Sequence, residues 1–366
     1  MRSITLALLL LSPSLAYGQN ARIDSYIKTE MEKNSIPGLS VVVTRKGDVL
    51  HHGSYGVADL QLQAPVTSNT VFPLASITKT FAATAVMQLV EKGKLSLDAT
   101  LASLVPNAPA GWGTVTVSQM LGHTSGLPDV VVNPVAGTWV GDSLEDALVK
   151  LGRMPLQSKP GEAWSYNQTN YMLLGMIVEA ASGLPFVQYL DKNVLAPLAP
   201  AKFIYGDSKV IVPGRGTWYS MIDFSSGRPR KASAIYPTAV TYPTFVQTAA
   251  GLNGTALDLA TFVDAIAAGR LIRKETADRM WTAVKLADGT TFRMEKTLGV
   301  GLGWIVDDIP GHPSVGGTGG SSVAFRHFRD DDLTVVVLTN LQGIDPDAMC
   351  DRIASFYIPA LAQPAP

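Results

Sequence analysis

The chain has 366 residues, 46% of them hydrophobic and 16% charged, and a formal net charge of −1. That supplies the apolar material for a sizeable core, in one large domain or two ordinary ones, and it excludes global disorder. A near-neutral chain without a basic block also lacks the electrostatic footprint of a nucleic-acid binder.

The N-terminus has the three parts of a secretory signal. Arg2 supplies positive charge, Ile4 to Leu11 a short apolar run, and Ala16-Tyr17-Gly18 the small residues of a cleavage site. The expectation is cleavage near Gly18, a mature chain from about Gln19, and a periplasmic or secreted protein. No later apolar run reaches the roughly 18–20 residues that cross a bilayer, so no stable membrane span is expected.

Leu39 to Thr44 is a β-branched run, Lys46-Gly47-Asp48 a turn signal, and Val49 to Gly53 extends again, which predicts an antiparallel hairpin. His51 and His52 are neighbours on that strand and point to opposite faces, so they do not chelate one metal. Phe81 to Val90 is almost wholly apolar and predicts a helix buried on all sides, with Gly93 as its C-terminal stop. The segment from Pro160 to Thr248 is rich in Pro, Gly and Tyr and reads as long loops around a cleft, interrupted by an apolar helix opening at Met172-Leu173-Leu174-Gly175. Thr255-Ala256-Leu257-Asp258 matches a capping box ahead of a helix over Leu259 to Ala268.

Near the C-terminus, Ser322 to Phe328 and Leu333 to Thr339 flank the charged turn Arg329 to Asp332, and a helix is expected from about Asp345 to Ala360. The economical architecture is α+β: one antiparallel sheet built from both chain ends and flanked by helices, with a mostly helical and loop region over about 81–249 and an active site in the cleft between. The flanking α/β part covers about 22–80 and 250–360. The single cysteine, Cys350, excludes an intrachain disulfide and reads as a packed apolar residue beside Met349 and Ile353.

Three segments carry chemistry. In Phe72-Pro73-Leu74-Ala75-Ser76-Ile77-Thr78-Lys79-Thr80, Ser76 and Lys79 fall at i and i+3 on one face of a helix start. A serine hydroxyl needs a base beside it, and a desolvated lysine can serve. The helix N-terminus adds free N–H groups for an oxyanion. In the second segment, Trp164-Ser165-Tyr166-Asn167-Gln168, the Tyr166 phenol can take or return a proton, with its pKa lowered by a nearby Lys79. In the third, Val315 to Gly320, glycines at a strand edge let a substrate reach backbone N–H groups. No G-x-S-x-G elbow is present, so an α/β-hydrolase triad is not supported. Two sequons, at Asn167 and Asn253, are discounted, the first because a glycan there would obstruct the site.

The order S-x-x-K, then Y-x-Q, then a glycine-rich strand resembles the serine β-lactamase and penicillin-binding protein superfamily, and within it the class C-like and esterase branch. Leu121-Gly122-His123-Thr124-Ser125-Gly126-Leu127-Pro128-Asp129, Asp258-Leu259-Ala260, Gly301-Leu302-Gly303-Trp304 and Val335 to Asn340 match as well, so the resemblance covers roughly residues 22 to 360. It implies a β-lactamase/transpeptidase-like fold, with Ser76 forming an acyl-enzyme, Lys79 activating it, and Tyr166 as base and acid. The backbone N–H groups of Ser76 and Gly320 would form the oxyanion hole, and Gln168, Gly317, Thr318 and Gly319 would bind substrate. Neither a metal nor an organic cofactor is implied. His123 carries over as a structural residue.

Two positions depart from the family pattern. Gln168 stands where Asn is usual, which keeps the amide but shifts its reach. Gly317 stands where Lys or His is usual. Losing that cation removes a charge-assisted hydrogen bond of roughly 1.5–3 kcal/mol to a substrate carboxylate. The reading therefore moves toward small ester, amide or peptide substrates, with His312 as a weak substitute for the cation. A β-lactamase or D,D-peptidase, and a binding or sensor protein on a disabled scaffold, stay open as alternatives.

Overall fold

The computed structural model describes residues 13–106, 108–133, 138–223, 230–239 and 241–362. Its centre is an eight-stranded antiparallel sheet assembled from both ends of the chain. In spatial order the strands are Leu298–Val300, Ile305–Asp307, Ser314–Gly319, Val323–Phe328, Leu333–Thr339, Gly38–Arg45, Asp48–Asp59 and Ala64–Pro65. The two ends of the chain meet where Gly38–Arg45 pairs with Leu333–Thr339, in the register Val41 to Val337.

Both faces of this sheet are covered, and for that reason its central strands read as unbroken apolar runs and not as alternating ones. Leu39, Val41, Val43, Val335 and Val337 pack on one face with Ile23 and Ile27 of the helix Pro13–Asn34 and with Met349, Cys350 and Ile353 of the helix Pro346–Ala354. Val42, Val323, Phe325, Val336 and Leu338 face the other way, into the larger core built around Phe72, Phe81 and Phe262. Cys350 is fully buried and unpaired, as expected of a packed apolar residue.

The helix Thr78–Glu91 runs through that larger core. Every residue from Thr78 to Leu89 is buried, and Gly93 follows its end at φ +66°. The capping box also forms: Thr255 accepts from the Asp258 backbone N–H, and the Asp258 carboxylate accepts from the Thr255 N–H, opening the helix Ala256–Ala267.

The structure corrects two expectations. The last helix stops at Ala354, short of Ala360, and a separate short turn at Pro359–Leu361 follows; a proline has no N–H to donate and its ring blocks the preceding turn. The segment 160–248 is more ordered than a set of loops. It holds the helix Gln168–Ser182 and a hairpin of Tyr219–Asp223 with Arg230–Pro237, whose first strand pairs with Leu341–Gln342. Residues 13–18 of the expected leader lie in the first helix, and residues 1–12 fall outside the described residues. No single helix among the described residues is long and apolar enough to cross a membrane.

Candidate active site

Ser76 sits in a tight turn, Ala75–Ile77, that runs directly into the buried helix Thr78–Glu91. The turn is held from two sides. Leu74 donates its N–H to the Leu252 carbonyl at 2.9 Å, and Leu252 donates to the Thr78 hydroxyl at 3.2 Å. Ala75 adopts φ +45°, a left-handed conformation that costs a non-glycine residue about 1–3 kcal/mol.

One helical turn on, Lys79 is only 4% exposed. Its Nζ donates to Ser76 Oγ at 3.2 Å and to the Ala249 carbonyl at 2.8 Å. It also lies over the Tyr166 and Tyr171 rings, 4.9 and 5.5 Å from their centroids. The amino group is thus fixed by its surroundings and points at the hydroxyl it would serve.

Tyr166 closes the triangle, its phenolic oxygen 2.7 Å from Ser76 Oγ. The loop that carries it is laced to the 123–126 turn. Gly161 donates to the Thr124 carbonyl at 2.7 Å and Ser165 to the His123 carbonyl at 2.9 Å, while Asn167 donates its N–H to His123 Nδ1 at 3.2 Å. Burial works against ionising the Tyr166 phenol, yet the Lys79 charge and interactions with Lys79, Ser76 and Gln168 together outweigh it and bring the pKa below the ordinary tyrosine value. The ring remains 44% exposed along the cleft wall, so the hydroxyl end, among Lys79, Ser76 and Gln168, is the part that feels this environment.

His123 borders the same cleft behind Tyr166. Burial, with help from the Lys79 charge, drives its pKa down to about 3, so the imidazole is neutral, and its ring packs 4.7 Å from that of Tyr166. Asn167 and Asn253, the two sequon asparagines, are 2% and 1% exposed and hydrogen bonded inside the fold. No glycan fits at either position in the folded chain.

The glycine-rich strand Ser314–Gly319 lines the opposite wall. Gly319 passes so close to the Leu74 carbonyl that a Cβ would sit 2.3 Å from that oxygen. Gly320, at φ +57°, borders the cleft beside Ser76. Thr318 also lines it, and its hydroxyl donates to Asp347 at 2.5 Å. At Gly317 a Cβ would lie 2.8 Å from the edge of the buried Phe325 ring, so a lysine or histidine there would need that ring to move. Where the superfamily pattern has a cation, this chain has a glycine backed by the buried Phe325 ring, which does not itself line the cavity. His312 does not supply one, because its Nδ1 pairs with Asp331 at 2.8 Å and it does not line the cleft.

The resulting cavity, about 590 Å³, is lined by Ser76, Lys79, Tyr166, Gln168, Gly317 and Gly320 together with apolar residues such as Trp164, Met294 and Trp304. Trp164 and Trp304 belong to segments singled out in the sequence, but Met294 and Gln342, which also borders the cavity, carry no sequence signal of their own. These side chains reach the site from four different segments, and only folding brings them together.

A family model described as Beta-lactamase matches residues 23–356. The chain belongs to the Beta-lactamase family. Penicillin-binding protein 4* of Bacillus subtilis (strain 168) is 27% identical over 339 residues, which are 88% of this chain and 72% of that protein. The octameric penicillin-binding protein homologue from Pyrococcus abyssi superposes with a TM-score of 0.77 at 26% identity, covering 93% of this chain and 77% of that one. EstCE1, a hydrolase with promiscuous acyltransferase activity, has the same fold, with a TM-score of 0.77 at 21% identity over 93% of this chain and 99% of that one. The protein is therefore a hydrolase of the serine β-lactamase/penicillin-binding protein superfamily, with that superfamily's α+β fold.

Proposed function

We propose that this Beta-lactamase family member is an exported enzyme that hydrolyses esters or small amides lacking a carboxylate, through an acyl-enzyme on Ser76. The observation that carries the proposal is the triangle of Ser76 Oγ, Tyr166 hydroxyl at 2.7 Å and Lys79 Nζ at 3.2 Å, opening on the large cavity.

In the first half-reaction, the Tyr166 phenolate accepts the Ser76 proton with Lys79 holding the negative charge in place. Ser76 Oγ bonds to the substrate carbonyl carbon, and the carbonyl π pair moves to oxygen, facing the N–H groups of Ser76 and Gly320. Collapse breaks the bond to the leaving alkoxide or amine, which takes the proton from the Tyr166 phenol. Water then repeats the sequence against the acyl-enzyme: its proton goes to Tyr166 and on to Ser76 Oγ, and the acid is released.

Lack of a cation at Gly317, and the Phe325 ring against that position, support neutral substrates over penicillins or a peptide C-terminus. The leader-like N-terminus supports export to the periplasm or medium. Purified Ser76→Ala is expected to lose p-nitrophenyl butyrate turnover by a factor of about 10⁴ or more. Activity retained in that variant would reject Ser76 as the nucleophile. Labelling of the native protein separates the readings. A fluorophosphonate without a fluorescent penicillin supports the esterase or amidase, both probes support a penicillin-reactive enzyme, and neither supports a binding protein on this scaffold.

A further inference from the structure

Ser76 opens on two cavities, not one. The larger holds Lys79 and Tyr166. The smaller, about 240 Å³, lies on the far side of Ser76, and neither Lys79 nor Tyr166 lines it. Its walls are mostly apolar: Trp139, Ile222, Tyr242, Val246 and Trp218. Ser76, Gln168 and Gly320 border both cavities.

This arrangement orients the substrate, given the Ser76 hydrolase reading on which the inference rests. The group that returns a proton to the leaving atom must touch it, so the leaving group belongs in the cavity that holds Tyr166. The acyl group, bonded to the same carbonyl carbon, then extends into the smaller cavity. That cavity offers aromatic and branched apolar surface and no charged side chain among its described lining residues, so it selects an apolar acyl group.

One aromatic side chain of the smaller cavity also borders a further space. Trp218 is 8% exposed, and its ring lies so close to the turn after the glycine strand that a Cβ on Gly320 would sit 2.8 Å from its Cζ2. Behind Trp218 is a third cavity of about 250 Å³, bordered by Asp207, Arg215, Thr217 and Asn253. Trp218 and Tyr242 line both spaces, with Ala75 and Thr238, so an indole is part of what divides the apolar pocket from a cavity of mixed lining that includes Pro73 and Leu252.

We infer that Trp218 is a specificity-determining residue that sets the length of the acyl chain: the enzyme takes apolar acyl groups that end before the indole. Each methylene that gains apolar cover is worth about fourfold in binding, so chain length is a sensitive readout.

The test uses the purified full chain and a series of p-nitrophenyl esters from acetate to decanoate. In the native enzyme kcat/KM rises with chain length and then falls. Trp218→Ala opens the cavity beyond and raises the decanoate-to-acetate ratio of kcat/KM by about tenfold or more. Ile222→Trp fills part of the pocket that Ile222 lines and lowers the hexanoate-to-acetate ratio by about tenfold. Should Trp218→Ala fail to fold by circular dichroism, Trp218→Leu replaces it, with the same direction of change expected. An active native enzyme whose ratios do not move in the folded variants overturns this inference and leaves the hydrolase reading standing. A native enzyme inert on every ester and on the corresponding anilides overturns both.

Discussion

Tyr166 is a phenol whose environment pulls in two directions. Burial raises its pKa, and the neighbouring charge of Lys79, with the hydrogen bonds around it, lowers it by more. Removing the charge leaves burial unopposed. Lys79→Gln is therefore expected to raise the Tyr166 pKa, to move the rising limb of kcat/KM against pH in the alkaline direction, and to cost about 10²–10⁴-fold at neutral pH. A limb that stays where it is in Lys79→Gln would assign the titration to another group. Lys79 does more than lend charge: bonds to Ser76 Oγ and the Ala249 carbonyl, and two aromatic faces, leave its Nζ little freedom.

At the scale of elements, the site depends on how closely two of them approach. The glycine strand Ser314–Gly319 crosses the turn Leu74–Ile77 at Gly319, and this brings the Gly320 N–H and Ser76 to the same rim. The atom in the way of any side chain at 319 is a backbone oxygen, which cannot rotate aside. Gly319→Ala should push the strand away from the turn. The expected cost is about 1–3 kcal/mol of stability by urea unfolding, with a fall of about tenfold or more in kcat as the two N–H groups separate. Native stability and kcat together in Gly319→Ala would show that this approach is not tight. The same junction explains how Ala75 is kept at φ +45°: hydrogen bonds from Leu74 to Leu252 and from Ile77 to Leu74 clamp the backbone on either side of it.

Across the whole molecule, burial lowers the imidazole pKa at His51, His52, His123 and His327, and the last two carry the strongest tie between stability and pH. Burial lowers His123 to about 3 and His327 to about 4, and His327 is 2% exposed with Nδ1 against the Thr334 hydroxyl at 2.9 Å. Both stay neutral in the fold and take up a proton on unfolding near the ordinary value of 6.5. Their contribution is thus complete above pH 6.5 and is lost as pH falls toward 3–4. Between pH 7 and 5 each loses about 2 kcal/mol. Burial raises the carboxyls of Asp129 and Asp264, which pull the other way over the lower part of this range, so the signature lies in a comparison. His123→Asn and His327→Gln should each flatten the loss of unfolding free energy between pH 7 and 5 by about that amount. Slopes identical to that of the native protein would show that the imidazoles are not desolvated.

Much of this was legible in the sequence because it is local. Ser76 and Lys79 meet since three residues along a helix is one turn; Phe81 to Leu89 is buried since it has no polar face; Thr255 and Asp258 cap a helix since their spacing allows both bonds. The two valine-rich ends gave away the central sheet, as only strands covered on both faces are apolar throughout. What tertiary structure alone decided is everything that depends on residues far apart in the chain. The 2.7 Å contact between Tyr166 and Ser76 spans 90 positions. The Phe325 ring against Gly317, the Asp331 partner of His312 and the place of Trp218 between two cavities follow from strand register and crossing loops. Local pattern fixes which side chains are available, but distances between segments are set by the packing of the whole core, and catalytic reach and pocket length are such distances.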